Sequence, residues 1–232
     1  MKQIFFYCFL LMVVLTSCQK EFEPHFNFEP TWPEGTGEYA PYTVGSTFKY
    51  ESVNLVNATT DYFTYTVTKD TTINNLKYYK LVSDKPAVGP SPTYFVNYSD
   101  GYLTELTYDL NFLGAITIPV LSENTFRLNE PLNATWHEDL PPLSFMGIPV
   151  TVNFDYTVLQ KDYTKPVLTN NFAYTTNVKE LAHIRLGNGM PLPPGISDVI
   201  VYDNFYAKGA GLVERDISLG TTQKLKEFSI VR

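Results

Sequence analysis

The chain has 232 residues, 17 of them basic and 24 acidic, for a net charge of −7 without any run of like charges. That balance excludes a nucleic-acid binder and a polybasic membrane patch. Its two cysteines, Cys8 and Cys18, exclude a disulfide framework for the body of the chain.

The first element is apolar. Lys2 is the only charge before Lys20, and Ile4 to Leu15 carries no charge at all. As helix, twelve residues rise about 18 Å, far short of the ~30 Å bilayer core. The stretch therefore reads as the apolar region of a signal peptide over residues 1–17, not as a membrane span. It ends in Leu15-Thr16-Ser17-Cys18, which resembles the lipobox of bacterial lipoproteins. The resemblance implies a diacylglyceryl group on the Cys18 sulfur, cleavage just before it, and acylation of the new amino terminus. Cleavage removes one Lys and no acid, leaving 16 basic and 24 acidic residues, a net of −8. The mature chain then has no free thiol. Each buried methylene of an acyl chain adds roughly 0.8 kcal/mol, so two or three chains anchor stably.

Residues 18–43 read as a lipidated cysteine followed by a proline-rich tether. Pro24, Pro30, Pro33 and Pro41 break helices and central strands. The spacer is aromatic, with Phe22, Phe26, Phe28 and Trp32. Lys20-Glu21-Phe22-Glu23 loosely resembles the acidic export signal of surface lipoproteins of the Bacteroidetes, with Phe22 interrupting the acids. The expected address is the cell envelope, as an outer-membrane lipoprotein.

From residue 44 to 232 the pattern predicts a single β-rich domain. The chain has 17 Tyr and 16 Phe, residue types that suit a pleated, half-buried surface. Predicted strands in chain order are 47–54, 63–68, 77–82, 93–98, 102–108, 150–158, 171–186, 199–207, 211–218 and 224–231. The clearest alternation is Val150, Val152, Phe154, Tyr156 and Val158 against Thr151, Asn153, Asp155 and Thr157. Asn74-Asn75 and Ser99-Asp100-Gly101 read as hairpin turns, and 85–92 and 190–195 as loops. Asp109 to Ile116 is the one place for a short helix, weakened by Gly114. The fold class is all-β and mainly antiparallel, a strongly curved sheet, half-barrel or barrel with few short helices.

Several short segments resemble small exported lipoproteins of the Bacteroidetes type. They are Gly45-Ser46-Thr47-Phe48-Lys49-Tyr50, Tyr78-Tyr79-Lys80-Leu81, Asp100-Gly101-Tyr102-Leu103 and Tyr206-Ala207-Lys208-Gly209-Ala210-Gly211-Leu212-Val213. Members of that kind are similar to the curved half-barrels of LolA-type lipoprotein carriers. The resemblance implies a concave apolar face that holds acyl chains, although the helices that plug a LolA-type barrel have no counterpart here. Gly209 and Gly211, read by themselves, mark a bulge, a bend or a close backbone approach. A phosphate loop would need a following helix, and Leu212 to Ile217 alternates as a strand instead.

Chemistry is thinly signalled. The histidines are His25, His137 and His183, none at metal-ligand spacing from another. His137 lies in the polar run Trp136-His137-Glu138-Asp139, where neighbours on a strand point to opposite faces. No nucleophile elbow is present. Trp136 and Tyr102 suit sugar stacking or, more simply, the core. Asp70-Thr71-Thr72 resembles the short O-glycosylation site of Bacteroidetes exported proteins. The expectation is a non-catalytic envelope lipoprotein with no metal or cofactor. Its partners would be a membrane, through Cys18, and a lipid or other apolar ligand on the concave face. The alternatives are a surface glycan- or protein-interaction module accessory to outer-membrane uptake, and a hydrolase.

Overall fold

Period-two alternation becomes antiparallel ladder throughout the computed structural model, which describes residues 39–85, 93–112, 116–140, 143–145, 148–192 and 197–231. The signal peptide, Cys18 and most of the tether lie outside the described residues, as do His25 and parts of the two expected loops. The described residues belong to one compact unit, Trp32–Arg232.

The strands are β1 (Thr47–Asn54), β2 (Thr59–Ile73), β3 (Leu76–Ser83), β4 (Thr93–Ser99), β5 (Tyr102–Phe112), β6 (Ile116–Arg127), β7 (Thr135–Asp139), β8 (Leu143–Phe145), β9 (Ile148–Val167), β10 (Asn170–Leu186), β11 (Val199–Ala207), β12 (Gly211–Ile217) and β13 (Thr221–Ser229). They form one sheet in the order β6-β5-β4-β3-β2-β1-β13-β12-β11-β10-β9-β7, with β8 beside β9. Meander connections account for most of this order, and β13 returns to pair with β1. The expected all-β, curved antiparallel architecture is what the chain adopts. The helical content among the described residues is a 3-10 turn, Gly187–Gly189. The helix considered for Asp109 to Ile116 is not formed. Asp109 to Phe112 continues β5, with Leu110 opposite Ile118 and Phe112 opposite Ile116 on β6. Cross-strand pairing outweighs weak local helix preference there.

Turn chemistry sets the registers. Asn74 and Asn75 both have positive φ (51° and 64°), as do Asp100 and Gly101 (53° and 83°). That is the backbone of a tight hairpin turn whose twist matches its strands. β2 and β3, and β4 and β5, are joined at these two points.

The sheet closes on itself almost completely. β6 and β7 are its two ends, and they meet through side chains instead of a backbone ladder. The indole Nε1 of Trp136 donates to the Asn124 carbonyl (2.8 Å), and the Asn124 amide donates to Glu138 Oε1 (2.8 Å). Arg127 reaches the same carboxylate oxygen at 3.4 Å, and its guanidinium lies 5.0 Å from the Trp136 ring. This seam completes a nearly closed antiparallel barrel.

The inner face is filled by the chain's own rings. Trp136 stacks on Tyr156 (5.0 Å, 7°), Tyr50 on Phe63 (5.4 Å, 15°), and Phe126 packs on Tyr206 (4.8 Å). Among the described residues, packing is already present at Tyr39, ahead of the expected domain start. Tyr39 meets Phe126 on β6, and Tyr42 meets Phe48 on β1, so residues 39–42 cross the barrel mouth. Tyr39, Ala40 and Tyr42 are all buried.

Gly211 makes that crossing possible. Its φ is +80°, and a Cβ there would stand 3.1 Å from the Tyr42 hydroxyl and 3.5 Å from the Tyr39 carbonyl oxygen. The close approach read for this glycine is present, and the register shift beside it, between Phe205 and Tyr206, is the bulge. Gly211→Ala is expected to cost about 2 kcal/mol, from the left-handed backbone and the crowding combined. Equilibrium urea unfolding would measure it. A change within about 0.5 kcal/mol, the range of an ordinary surface substitution, would contradict the crowding.

Candidate functional site

Strand alternation places charged residues in phase with the apolar inner face. On β12, Arg215 follows Val213 at a spacing of two. On β10, Glu180 lies between Val178 and Ala182 at the same spacing, and on β6, Glu123 follows Leu121. On β5, Glu105 follows Leu103. Registers bring them to one level: Glu105 faces Glu123, Tyr202 faces Glu180, and Asn204 faces Arg215. The result is a polar layer inside an otherwise aromatic barrel.

The layer is partly wired. Arg215 Nε donates to Asn204 Oδ1 (2.6 Å), and the Asn204 amide donates to Glu180 Oε2 (2.9 Å). The Thr125 hydroxyl donates to Glu105 (3.4 Å). Glu123 Oε1 and the Tyr156 hydroxyl are buried without a hydrogen-bond partner. Tyr156 lies opposite both Trp136 and Glu180 in register.

Electrostatics follow from burial. The Glu180 carboxyl is pushed up to about 7 by burial, with the Arg215 guanidinium and the Asn204 hydrogen bond pulling it back. Burial raises Glu105 as well, again opposed by Arg215. Glu123 is held well above the usual carboxylate range by burial, and then by the like charges of Glu180 and Glu105. Burial by itself would lower Arg215, but Glu105, Tyr206 and Glu180 override it and keep the guanidinium charged. Three carboxyls therefore share one cation in low dielectric, an arrangement that favours the neutral acid for part of the set.

The residues singled out in the sequence divide between the two faces. Trp136 is buried in the seam, and Glu138 points inward beside it. Asp139 points the other way, as alternation requires, and joins His137 on the outer face. Both imidazole nitrogens of His137 are occupied, Nδ1 by Asp155 Oδ1 (2.6 Å) and Nε2 by Asp139 Oδ1 (2.9 Å). Two acceptors on one ring favour the imidazolium, so the hydrogen bonds to Asp155 and Asp139 raise the His137 pKa. His183 Nε2 lies 3.1 Å from the other oxygen of Asp155. Among the described residues no group of three or more His, Cys, Asp or Glu is placed to hold a metal ion. Tyr102 is exposed at the rim, 5.5 Å from the Arg127 guanidinium.

The fold and the polar layer together define a class: a nearly closed, all-antiparallel barrel with an internal acidic belt. A solved protein from Parabacteroides distasonis, described as a "putative lipoprotein", shares this fold. The similarity has a TM-score of 0.53 at 12% identity, over 84% of this chain and 99% of that one. A Bacteroides fragilis protein, described as a "putative exported protein with YmcC-like fold", aligns over 84% and 98% at 11% identity with a TM-score of 0.44. No protein-family model and no curated protein matches the chain.

Proposed function

We propose that the chain is a non-catalytic cell-envelope lipoprotein, held to the outer membrane by acyl chains on Cys18, whose barrel holds a small ligand against its inner polar layer. The anchor reading is carried by Leu15-Thr16-Ser17-Cys18 at the end of a short apolar run. The fold shared with the protein described as a "putative lipoprotein" supports it. Twenty residues separate Cys18 from Tyr39, the first described residue, and that length of chain spans at most about 70 Å when fully extended.

The ligand reading changes its chemistry. The sequence points to an apolar ligand on an aromatic concave face. In the barrel those rings pack on one another and are already out of water, so they leave little hydrophobic gain to a guest. Polar atoms without partners are what a guest would satisfy, and the belt supplies them in Glu123 and Tyr156.

The anchor is tested in cells. Wild-type protein should incorporate an alkyne-labelled fatty acid and sediment with outer membranes, and its mature peptide should begin at an acylated Cys18. Cys18→Ala should carry no label and keep residues 1–17. An unmodified thiol on a soluble mature wild-type protein would overturn the assignment. The ligand is tested separately, by native mass spectrometry of protein purified from cells.

A further inference from the structure

We propose that the inner belt is a site for the protonated primary amine of a small molecule, received by Glu123 and Tyr156 behind the β6–β7 seam. The inference rests on the reading that the barrel interior holds a ligand, and it names the chemical class.

Charge is the first ground. The Arg215 charge acts on Glu105, Glu123 and Glu180 alike, so three acids share one guanidinium. Arg215 is engaged through Asn204 with Glu180, and Glu105 has the Thr125 hydroxyl. Glu123 is left over. Its residue is 8% exposed, and its Oε1 has no partner. A buried carboxylate in that position either stays protonated or takes a cation.

Acceptor geometry is the second ground. Tyr156 is fully buried, its hydroxyl is also unpartnered, and its pKa is raised by burial and then by the charge of Glu123. The Glu123 carboxyl oxygen can accept, and so can the Tyr156 hydroxyl oxygen, so one donor with several hydrogens can reach both. A primary ammonium has three. A divalent metal fits less well, since no described group of three or more acids or histidines converges for one.

Access is the third ground. Glu123 lies on β6 beside Asn124, whose carbonyl takes the indole hydrogen of Trp136 across the seam. That wall is made of side chains, which swing aside at less cost than a strand ladder parts.

Two sources offer this chemistry: a soluble amine and the ethanolamine headgroup of a lipid. Calorimetric titration of the mature domain with butylammonium chloride, and separately with monomeric dihexanoylphosphatidylethanolamine, distinguishes them. Saturable binding to either, weakened on the order of tenfold or more in Glu123→Gln, is the expected result. Response to the phospholipid alone assigns the headgroup as the source. Glu123→Gln keeps the side-chain shape, and its circular dichroism and melting curve report whether the barrel is intact. Tyr156→Phe, which removes only the hydroxyl, is a second probe of the same site. Saturable binding to neither compound, or binding unchanged in both variants, overturns the amine site. Native mass spectrometry separates the two levels. A bound species without a basic nitrogen would overturn the amine and leave the internal-ligand reading standing.

Discussion

Trp136→Ala is expected to destabilise the barrel by about 3–5 kcal/mol, the range for deleting a large buried aromatic. The ring is 7% exposed, stacked on Tyr156 and covered by Arg127. It also supplies the 2.8 Å hydrogen bond from β7 to the Asn124 carbonyl on β6. Removing it takes away packing and one of the fastenings of the seam at once, so the Asn124 carbonyl loses the indole hydrogen in the same step. At roughly 2–4 °C per kcal/mol for a domain of this size, the melting temperature should fall by about 10 °C. Differential scanning calorimetry of the mature domain would measure it. A loss of only 1–2 °C would show that the seam contributes little. Tyr102→Ala, at the exposed rim, is the control and should stay within about 1 kcal/mol of wild type.

The second large effect is a loss of stability as pH rises. Glu180 has a folded pKa of about 7 against an ordinary 4.5, because the buried carboxylate is poorly solvated. The unfolded chain therefore gives up this proton more readily than the fold does. Stability is fully present below about 4.5 and declines as pH climbs towards 7. Glu105 and Glu123, also raised by burial, act in the same direction. His137 adds to it: its raised pKa gives stability below its ordinary value of 6.5 that fades as pH rises through the folded value. A separation of the Glu180 size corresponds to about 3 kcal/mol, so melting temperatures at pH 5 and pH 8 should differ by roughly 5–10 °C. Glu180→Gln should flatten a large part of that dependence. A wild-type melting temperature that rises from pH 5 to pH 8 would contradict a protonated interior.

Much of the barrel was legible in the sequence because its signals are local. The runs 47–54 and 199–207 became β1 and β11 without change, and the Asn74-Asn75 and Asp100-Gly101 turns fell where expected. β6, β7 and β8 were not legible. β6 contains Pro119, an unfavourable residue for a strand in general but a tolerable one at the end of a sheet, and a bulge next to Asn124 breaks its alternation. β7 is five residues long, and its run of Trp136, His137, Glu138 and Asp139 looked like a polar cluster. It is one strand serving two environments, with Trp136 and Glu138 inside and His137 and Asp139 outside. The inner belt left a faint trace that period-two reading can catch: Glu180 keeps the phase of Val178 and Ala182, and Arg215 that of Val213. Nothing local says that these strands bring their charges to one level. That depends on registers set by distant turns.

The short crossing by residues 39–42 has a mechanical consequence. A pull applied at Tyr39 is felt on β6 and β1 together, because the Tyr39 and Tyr42 rings pack against Phe126 and Phe48. The load is thus shared between two strands five places apart in the sheet. Rings that let go there would leave the ladders of the barrel untouched, because residues 39–42 belong to no strand.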